Sequence, residues 1–109
     1  MTPEGLYGVL AKYAASQGIQ LNRDKDFVLD ILAGLLKNEE RHGYRSCPCR
    51  LSSGTREKDA DIICPCAYRD PDIEEYGSCY CGLYVSKEWN EGRTEHRYVP
   101  ERRREEAVL

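Results

Sequence analysis

All six cysteines of this 109-residue chain occur in three Cys-x-Cys pairs between residues 47 and 81. The pairs lie in the segments SCPCR, ICPCA and SCYCG, and they consist of Cys47 and Cys49, Cys64 and Cys66, and Cys79 and Cys81. Cysteine thiolates bind zinc and iron–sulfur clusters, and pairs of thiols carry out disulfide exchange. The pattern therefore indicates three candidate uses for the cysteines: structural disulfides, a zinc site or an iron–sulfur site.

Structural disulfides are disfavoured. A bond within a Cys-x-Cys pair closes a very small ring, and Pro48 and Pro65 stiffen two of these rings. The N-terminus, MTPEGLYGVLAKYAASQG, has neither a basic start nor a continuous apolar run. We therefore expect a cytoplasmic protein in a reducing compartment, where structural disulfides are rare.

A zinc site and an iron–sulfur cluster both need four thiolates, which leaves two cysteines over. Structural zinc pairs usually have two to four residues between their ligands, whereas each pair here has one. An iron–sulfur cluster with four ligands leaves two thiols for a redox-active disulfide. That combination is useful because disulfide reduction takes two electrons, whereas ferredoxin-type carriers deliver one at a time. A structural zinc-binding interaction module and a simple [4Fe-4S] electron-transfer protein are the alternatives.

The composition is typical of a soluble globular protein. Apolar residues make up 40 % of the chain and charged residues 32 %, which argues against disorder. The net charge of −3 is too small to indicate nucleic acid as a partner, and no apolar run is long enough to cross a membrane. The length predicts a single domain over residues 1–109 with a modest core.

Residues 1–43 contain no cysteine and predict two amphipathic helices. In the first, Thr2 is a capping residue, Pro3 suits the first turn and Gly18 ends the helix; its apolar face is Leu6, Val9, Leu10 and Tyr13. The second begins after Asn22 or Asp24 and ends at Gly43; its apolar stripe is Val28, Ile31, Leu32, Leu35 and Leu36. We expect this helical pair to shield the cysteine segment, residues 44–85.

The rest of the chain gives weaker signals. SSGTREKDADII predicts a turn and a short helix, RDPDIEEYGS predicts a helical turn that ends at Gly77, and GLYVSKEW fits a short strand or a helix start. The charged tail, residues 90–109, predicts a solvated helix or a frayed end. Packing roles are expected for Tyr7, Tyr13 and Trp89. Three arginines flank the cysteine loops, namely Arg45, Arg50 and Arg69. We expect them to be solvated surface charges; the alternatives are that they lower a thiol pKa or contact an acidic partner protein.

Three ordered Cys-x-Cys pairs behind two helices resemble the catalytic subunit of ferredoxin:thioredoxin reductase. The resemblance runs from YAASQG through SCPCRL and ICPC to CYCGLYVS, or about residues 10–90. It implies a mainly α, single-domain helical disc whose cysteine-bearing loops surround an iron–sulfur cluster. It further implies a ferredoxin-like electron donor on one face and a thioredoxin or glutaredoxin-like acceptor on the other, with a possible second subunit.

The resemblance also implies a role for each cysteine. The positions that match ligands of a [4Fe-4S] cluster are Cys47, Cys64, Cys66 and Cys79. Cys49 and Cys81 match the redox-active disulfide, in which the first attacks the substrate and the second stays against the cluster. Spacing alone does not choose this partition, because any four of the six cysteines would serve.

This chain departs from the photosynthetic members of the family between its last two cysteines. Those enzymes have histidine there, which is thought to assist proton transfer near the disulfide, whereas this chain has Tyr80. A phenol can donate a proton, but its ordinary pKa is about 10. Neither His42, expected at a helix end, nor His96, expected in the tail, falls at that position. The loops between the motifs also differ in length, which indicates a divergent branch.

Overall fold

In the computed structural model, which describes residues 1–48, 54–64 and 66–100, helices predominate as the sequence predicts. The elements in chain order are α1 (Pro3–Ser16), β1 (Gln20–Leu21), α2 (Lys25–His42), α3 (Arg56–Asp59), a 3-10 turn (Ala60–Ile62), α4 (Arg69–Tyr76), β2 (Tyr84–Val85) and α5 (Lys87–Asn90). The molecule is flattened, with extents of 38 × 31 × 22 Å. None of the helices within the described ranges is long and apolar enough to span a membrane.

Helix α1 begins and ends as its sequence predicts. The Thr2 hydroxyl accepts a hydrogen bond from the Gly5 N–H at 3.1 Å, and Pro3 occupies the first turn. The predicted apolar face is wrong at one position, because Val9 is 54 % exposed. Ala14 is buried instead, so the face of α1 that packs on the core is centred on Leu6 and Ala14.

Among the described elements, helix α2 contributes the most buried apolar residues to the core. The Asp24 carboxylate accepts a hydrogen bond from the Phe27 N–H at 3.2 Å, and Gly43 ends the helix with a φ of 82°, which a glycine adopts without a steric penalty. Four members of the predicted stripe are buried, namely Val28, Ile31, Leu32 and Leu35. They pack with Leu6 and with residues of the third cysteine loop, so the helical pair covers that loop as predicted.

A two-stranded antiparallel sheet, which the sequence did not predict, ties the chain after the last cysteine to the loop between α1 and α2. Gln20 pairs with Val85 and Leu21 pairs with Tyr84. The segment GLYVSKEW therefore contains both a strand and the start of a helix. Local periodicity missed the sheet because each strand is only two residues long and its partner is distant in the sequence.

The described part of the tail packs against helices α4 and α5, which the sequence did not predict. Helix α4 ends at Gly77, with a φ of 79°, as expected. The tail is not helical between residues 91 and 100, which corrects the prediction of a helix for this part. Residues 101–109 lie outside the described residues, so the prediction of a frayed end stays a prediction there. The His96 ring stacks on Trp89 with centroids 3.7 Å apart, and the Arg97 guanidinium donates to the Glu75 carbonyl at 2.6 Å. Those contacts hold this part of the tail against α4 and α5.

Replacing Leu32 by alanine should lower the free energy of unfolding by about 2–5 kcal/mol, because the side chain is fully buried and its loss leaves a cavity. Val9→Ala is the matched control, since Val9 is largely exposed on the other helix. Urea unfolding followed by circular dichroism measures both changes. If the Leu32→Ala variant is as stable as the Val9→Ala variant, α2 does not supply the core.

Candidate functional site

Five of the six cysteines line one pocket between α2, α4 and the three cysteine loops. The cysteines are Cys47, Cys64, Cys66, Cys79 and Cys81, and the other lining residues are Ile31, Leu35, Pro48, Arg69, Tyr80, Leu83 and Tyr84. The space not filled by protein atoms is about 340 Å³, including its solvent-facing part. The walls are mostly apolar apart from the sulfurs, so this pocket gathers thiols in a poorly solvated environment.

Backbone pairing brings the first two cysteine loops side by side. Ser46 and Ile63 form an isolated antiparallel bridge, in which the Cys47 N–H donates to the Ile62 carbonyl and the Cys64 N–H donates to the Arg45 carbonyl, each at 2.8 Å. The Asn38 side chain of α2 donates to the Ser46 carbonyl at 2.9 Å. Main-chain hydrogen bonds therefore hold the first two cysteine loops together, and the Asn38 side chain ties the first loop to α2.

A glycine in α2 makes room for the first loop. A Cβ atom on Gly34 would lie 2.8 Å from the Pro48 Cβ, which is shorter than a real contact between such atoms. Glycine in the middle of a helix costs about 0.5–1 kcal/mol relative to alanine. Pro48, the residue between Cys47 and Cys49, approaches α2 so closely that only glycine fits at this position.

The third loop is a tight turn closed by the strand that follows it. Ser78 bridges to Val85, the Cys79 N–H donates to the Tyr84 carbonyl at 2.9 Å, and the Gly82 N–H donates to the Cys79 carbonyl at 2.9 Å. Gly82 has a φ of 77°, a conformation that side chains disfavour. Cys81 and Tyr80 lie within this turn, where both are half-buried at the pocket.

Burial favours the neutral form of two pocket thiols, Cys64 and Cys79. Burial, reinforced by the neighbouring Cys79 and Cys66, raises the pKa of the Cys64 thiol to about 12. Burial also raises the pKa of Cys79, although backbone hydrogen bonds from Tyr84 and its neighbours oppose the shift. The Tyr84 N–H lies 3.3 Å from the Cys79 sulfur. Such N–H groups stabilise a thiolate, so Cys79 has donors ready for its deprotonated form.

Two arginines from the sequence analysis have different surroundings. Arg69 is 6 % exposed, which corrects the solvated position given as one reading, and it lines the pocket. Arg45 is half-buried and lies 3.6 Å from the Glu39 carboxylate. Both positive charges act to lower the Cys64 pKa against the larger effect of burial. Arg50 lies outside the described residues.

Sequence reasoning missed a polar group beside the sulfurs that includes Arg69, Tyr13 and Tyr84. The Arg69 guanidinium donates to the Tyr13 hydroxyl at 2.6 Å, and its central carbon lies 5.5 Å from the centre of the Tyr84 ring. The two tyrosine rings meet edge to face with centroids 6.0 Å apart. Its members come from α1, α4 and β2, so no local spacing indicates it.

The disulfide in the structure joins Cys47 and Cys81, whereas the resemblance implies a pair between Cys49 and Cys81. Cys49 lies outside the described residues, so the implied pair stays a prediction. The Cα atoms of Cys47 and Cys81 are 7.5 Å apart, a separation wider than most disulfides have. The first and third cysteine loops therefore face each other across the pocket, and Cys81 reaches the first loop as expected.

The described cysteines bear on which kind of metal group the pocket suits. Within residues 1–48, 54–64 and 66–100, no three His, Cys, Asp or Glu side chains converge on a point that could hold a single ion. The four predicted ligands nevertheless line one pocket, and the Cys79 sulfur already accepts a backbone hydrogen bond. The thiols of Cys64, Cys66 and Cys79, with one cysteine of the first loop, fit a cluster, which takes one thiolate at each iron and so needs its ligands spread around it.

One comparison with known proteins identifies a family. The model described as ferredoxin thioredoxin reductase catalytic beta chain matches residues 4–106, a range that includes all six cysteines. No curated protein matches this chain. The family resemblance predicted from the three cysteine motifs is therefore confirmed.

Gly34→Ala should lower the stability of the protein, because the added Cβ overlaps Pro48 and overpacking costs about 1–3 kcal/mol. Gly8→Ala is the matched control: it lies within α1, and its added Cβ would have no atom within 4 Å. That variant should be more stable than the parent by about 0.5–1 kcal/mol. Urea unfolding compares the two variants. Equal stabilisation of both would show that the first loop does not press on α2.

Proposed function

The chain belongs to the family of ferredoxin thioredoxin reductase catalytic beta chains, and from that premise we propose that it reduces protein disulfides with electrons from a ferredoxin-like donor. The acceptor is a thioredoxin or a glutaredoxin-like protein. The observation that carries the proposal is the pocket itself, because cysteines from three separate loops line it together. Neither a structural disulfide nor a lone pair of thiols requires such a gathering.

We propose that Cys47, Cys64, Cys66 and Cys79 hold a [4Fe-4S] cluster. When bound, the cluster supplies electrons one at a time to a reaction that needs two. Burial raises the pKa of Cys64 and of Cys79, so these thiols lose their protons only where a cation compensates the charge. The nearby positive charges of Arg45 and Arg69 offset part of the negative charge of the thiolates.

In this proposal Cys49 and Cys81 carry out the exchange with the acceptor. The Cys49 thiolate attacks the acceptor disulfide, forms a mixed disulfide and releases one acceptor thiolate. The Cys81 thiolate then attacks the Cys49 sulfur, which forms the Cys49–Cys81 disulfide and releases the second acceptor thiolate. Two electrons from the donor and two protons restore the dithiol. Cys81 is half-buried at the pocket, which suits a thiol that resolves an adduct rather than one that starts it.

A second partition of the cysteines has a specific observation in its favour. Because Cys47 is bonded to Cys81, these two would be the redox pair and Cys49 would be the fourth ligand. The two partitions exchange the roles of the cysteines on either side of Pro48. They agree that Cys64, Cys66 and Cys79 hold the cluster and that Cys81 belongs to the disulfide.

Single Cys→Ser variants decide between the partitions by their iron content after anaerobic purification. We expect Cys47→Ser, like the serine variants of Cys64, Cys66 and Cys79, to lose iron, whereas Cys49→Ser and Cys81→Ser should keep it. Cys47→Ser and Cys49→Ser are matched to each other, since they flank the same proline. Loss of iron in Cys49→Ser with retention in Cys47→Ser would establish the second partition. A colourless parent that binds zinc would contradict the proposed function.

The same variants test which thiol attacks the acceptor. With Cys81→Ser, a thioredoxin that has one active-site cysteine, activated as a mixed disulfide, should be captured on Cys49, because no thiol remains to resolve the adduct. With Cys49→Ser, no adduct should accumulate. A non-reducing gel measures the capture. The parent, supplied with reduced ferredoxin, should reduce an oxidised thioredoxin, and addition of a second subunit tests whether one is needed.

Tyr80 is proposed to donate a proton beside the disulfide, because it stands where the photosynthetic relatives have histidine and lines the pocket. Tyr80→Phe should slow disulfide reduction while the visible spectrum of the cluster stays the same. Turnover measured from neutral to alkaline pH checks the role. A rate equal to that of the parent throughout this range would exclude a proton-transfer role for Tyr80.

A further inference from the structure

The side-chain hydroxyl of Tyr84 is buried at the cysteine pocket and has no hydrogen-bond partner among the described residues. Tyr84 is 1 % exposed, and its side chain lines the pocket together with the sulfurs. Water is excluded from this atom as well. A buried hydroxyl without a partner is destabilising, and phenylalanine would fill the same space without that cost. A role for the hydroxyl would explain why tyrosine rather than phenylalanine occupies this position.

The described polar side chains beside Tyr84 form no hydrogen bond with its hydroxyl. The Arg69 guanidinium donates to the Tyr13 hydroxyl at 2.6 Å and forms an ion pair with Asp70 at 2.9 Å. Arg69 faces the ring of Tyr84, and Tyr13 contacts the same ring edge to face. These contacts orient the Tyr84 ring and do not involve its hydroxyl.

Five cysteines line the pocket together with Tyr84, and their sulfur atoms are candidate acceptors for its hydroxyl. A neutral thiol is a weak acceptor, whereas a thiolate accepts strong, charge-assisted hydrogen bonds. Cysteine binds metal as the thiolate, so an acceptor for Tyr84 arises when the cysteines hold iron. Cys64 lines the same pocket as Tyr84, and after burial its charge contributes most to raising the pKa of the Tyr84 hydroxyl. The backbone N–H of Tyr84 already serves Cys79 at 3.3 Å.

We propose that the Tyr84 hydroxyl donates a hydrogen bond to the Cys64 thiolate when that cysteine is a cluster ligand, and that this bond raises the reduction potential of the site. The inference rests on the proposed function, since it needs Cys64 as a ligand. A donor to a ligand sulfur withdraws electron density and so favours the reduced state; hydrogen bonds of this kind are among the determinants of cluster potentials. Tyr84 is a positioning and tuning residue, and it takes no part in the exchange of disulfides.

The test compares Tyr84→Phe with the parent and with Tyr98→Phe, a control whose tyrosine is 81 % exposed. In iron-free protein, Tyr84→Phe should unfold at the same urea concentration as the parent or at a higher one, since the hydroxyl has no partner in that state. In iron-loaded protein, a redox titration should give a midpoint potential more negative than those of the parent and of Tyr98→Phe. The resonance Raman bands of the terminal iron–thiolate bonds should shift in D2O more for the parent than for Tyr84→Phe, which keeps the backbone N–H donor to Cys79.

Each outcome bears on the proposal. An unchanged midpoint potential in Tyr84→Phe, with the cluster intact, overturns the inference alone. Loss of stability in the iron-free variant also overturns it, because the hydroxyl would then have a partner without iron. If D2O shifts only the bands of bridging sulfide, Cys64 is the wrong acceptor. A parent that takes up no iron overturns the proposed function and this inference with it, so the two failures are distinguishable.

Discussion

Burial of several thiols in one pocket is the constraint on which the rest of the structure depends. The cysteines come from three loops, and a chain of 109 residues has only a modest core with which to hold those loops together. Main-chain pairing also holds the loops in place, because Ser46 bridges to Ile63 and Ser78 bridges to Val85. The two-stranded sheet then ties the third loop to the N-terminal helices. Backbone hydrogen bonds thus position the sulfurs more directly than side-chain packing does.

The same burial controls the protonation of the sulfurs. An apolar pocket disfavours thiolates, which is why the pKa of Cys64 is raised to about 12. Arg45, Arg69 and the Tyr84 N–H act in the opposite direction. The balance favours neutral thiols in the metal-free protein and still provides donors for thiolates. A site of this kind suits ligands that deprotonate only on binding a cation, and it protects them from exchange with disulfides in solution, since the thiolate is the reactive form.

Two glycines allow the elements around the pocket to approach one another closely. Gly34 lets the Cys47–Pro48 segment approach α2 more closely than any other residue would allow. Gly82 closes the third loop in a conformation with positive φ. On the opposite side, Tyr13 and Arg69 pack around the Tyr84 ring. Helix α2, the third loop and α4 therefore meet at the sulfurs, although these elements are far apart in the sequence.

The sequence by itself determined the family, the two N-terminal helices and the residues able to do chemistry. Caps at Thr2, Asp24 and Gly43 and the stripe from Val28 to Leu35 are local signals, because helices form by contacts between residues three or four apart. Tertiary structure alone decided that β1 pairs with β2, that Val9 faces solvent and that Arg69 is buried. It also decided that Tyr84 lines the same pocket as Cys64. These features depend on contacts between distant segments, and the spacing of residues along one segment carries no information about such contacts.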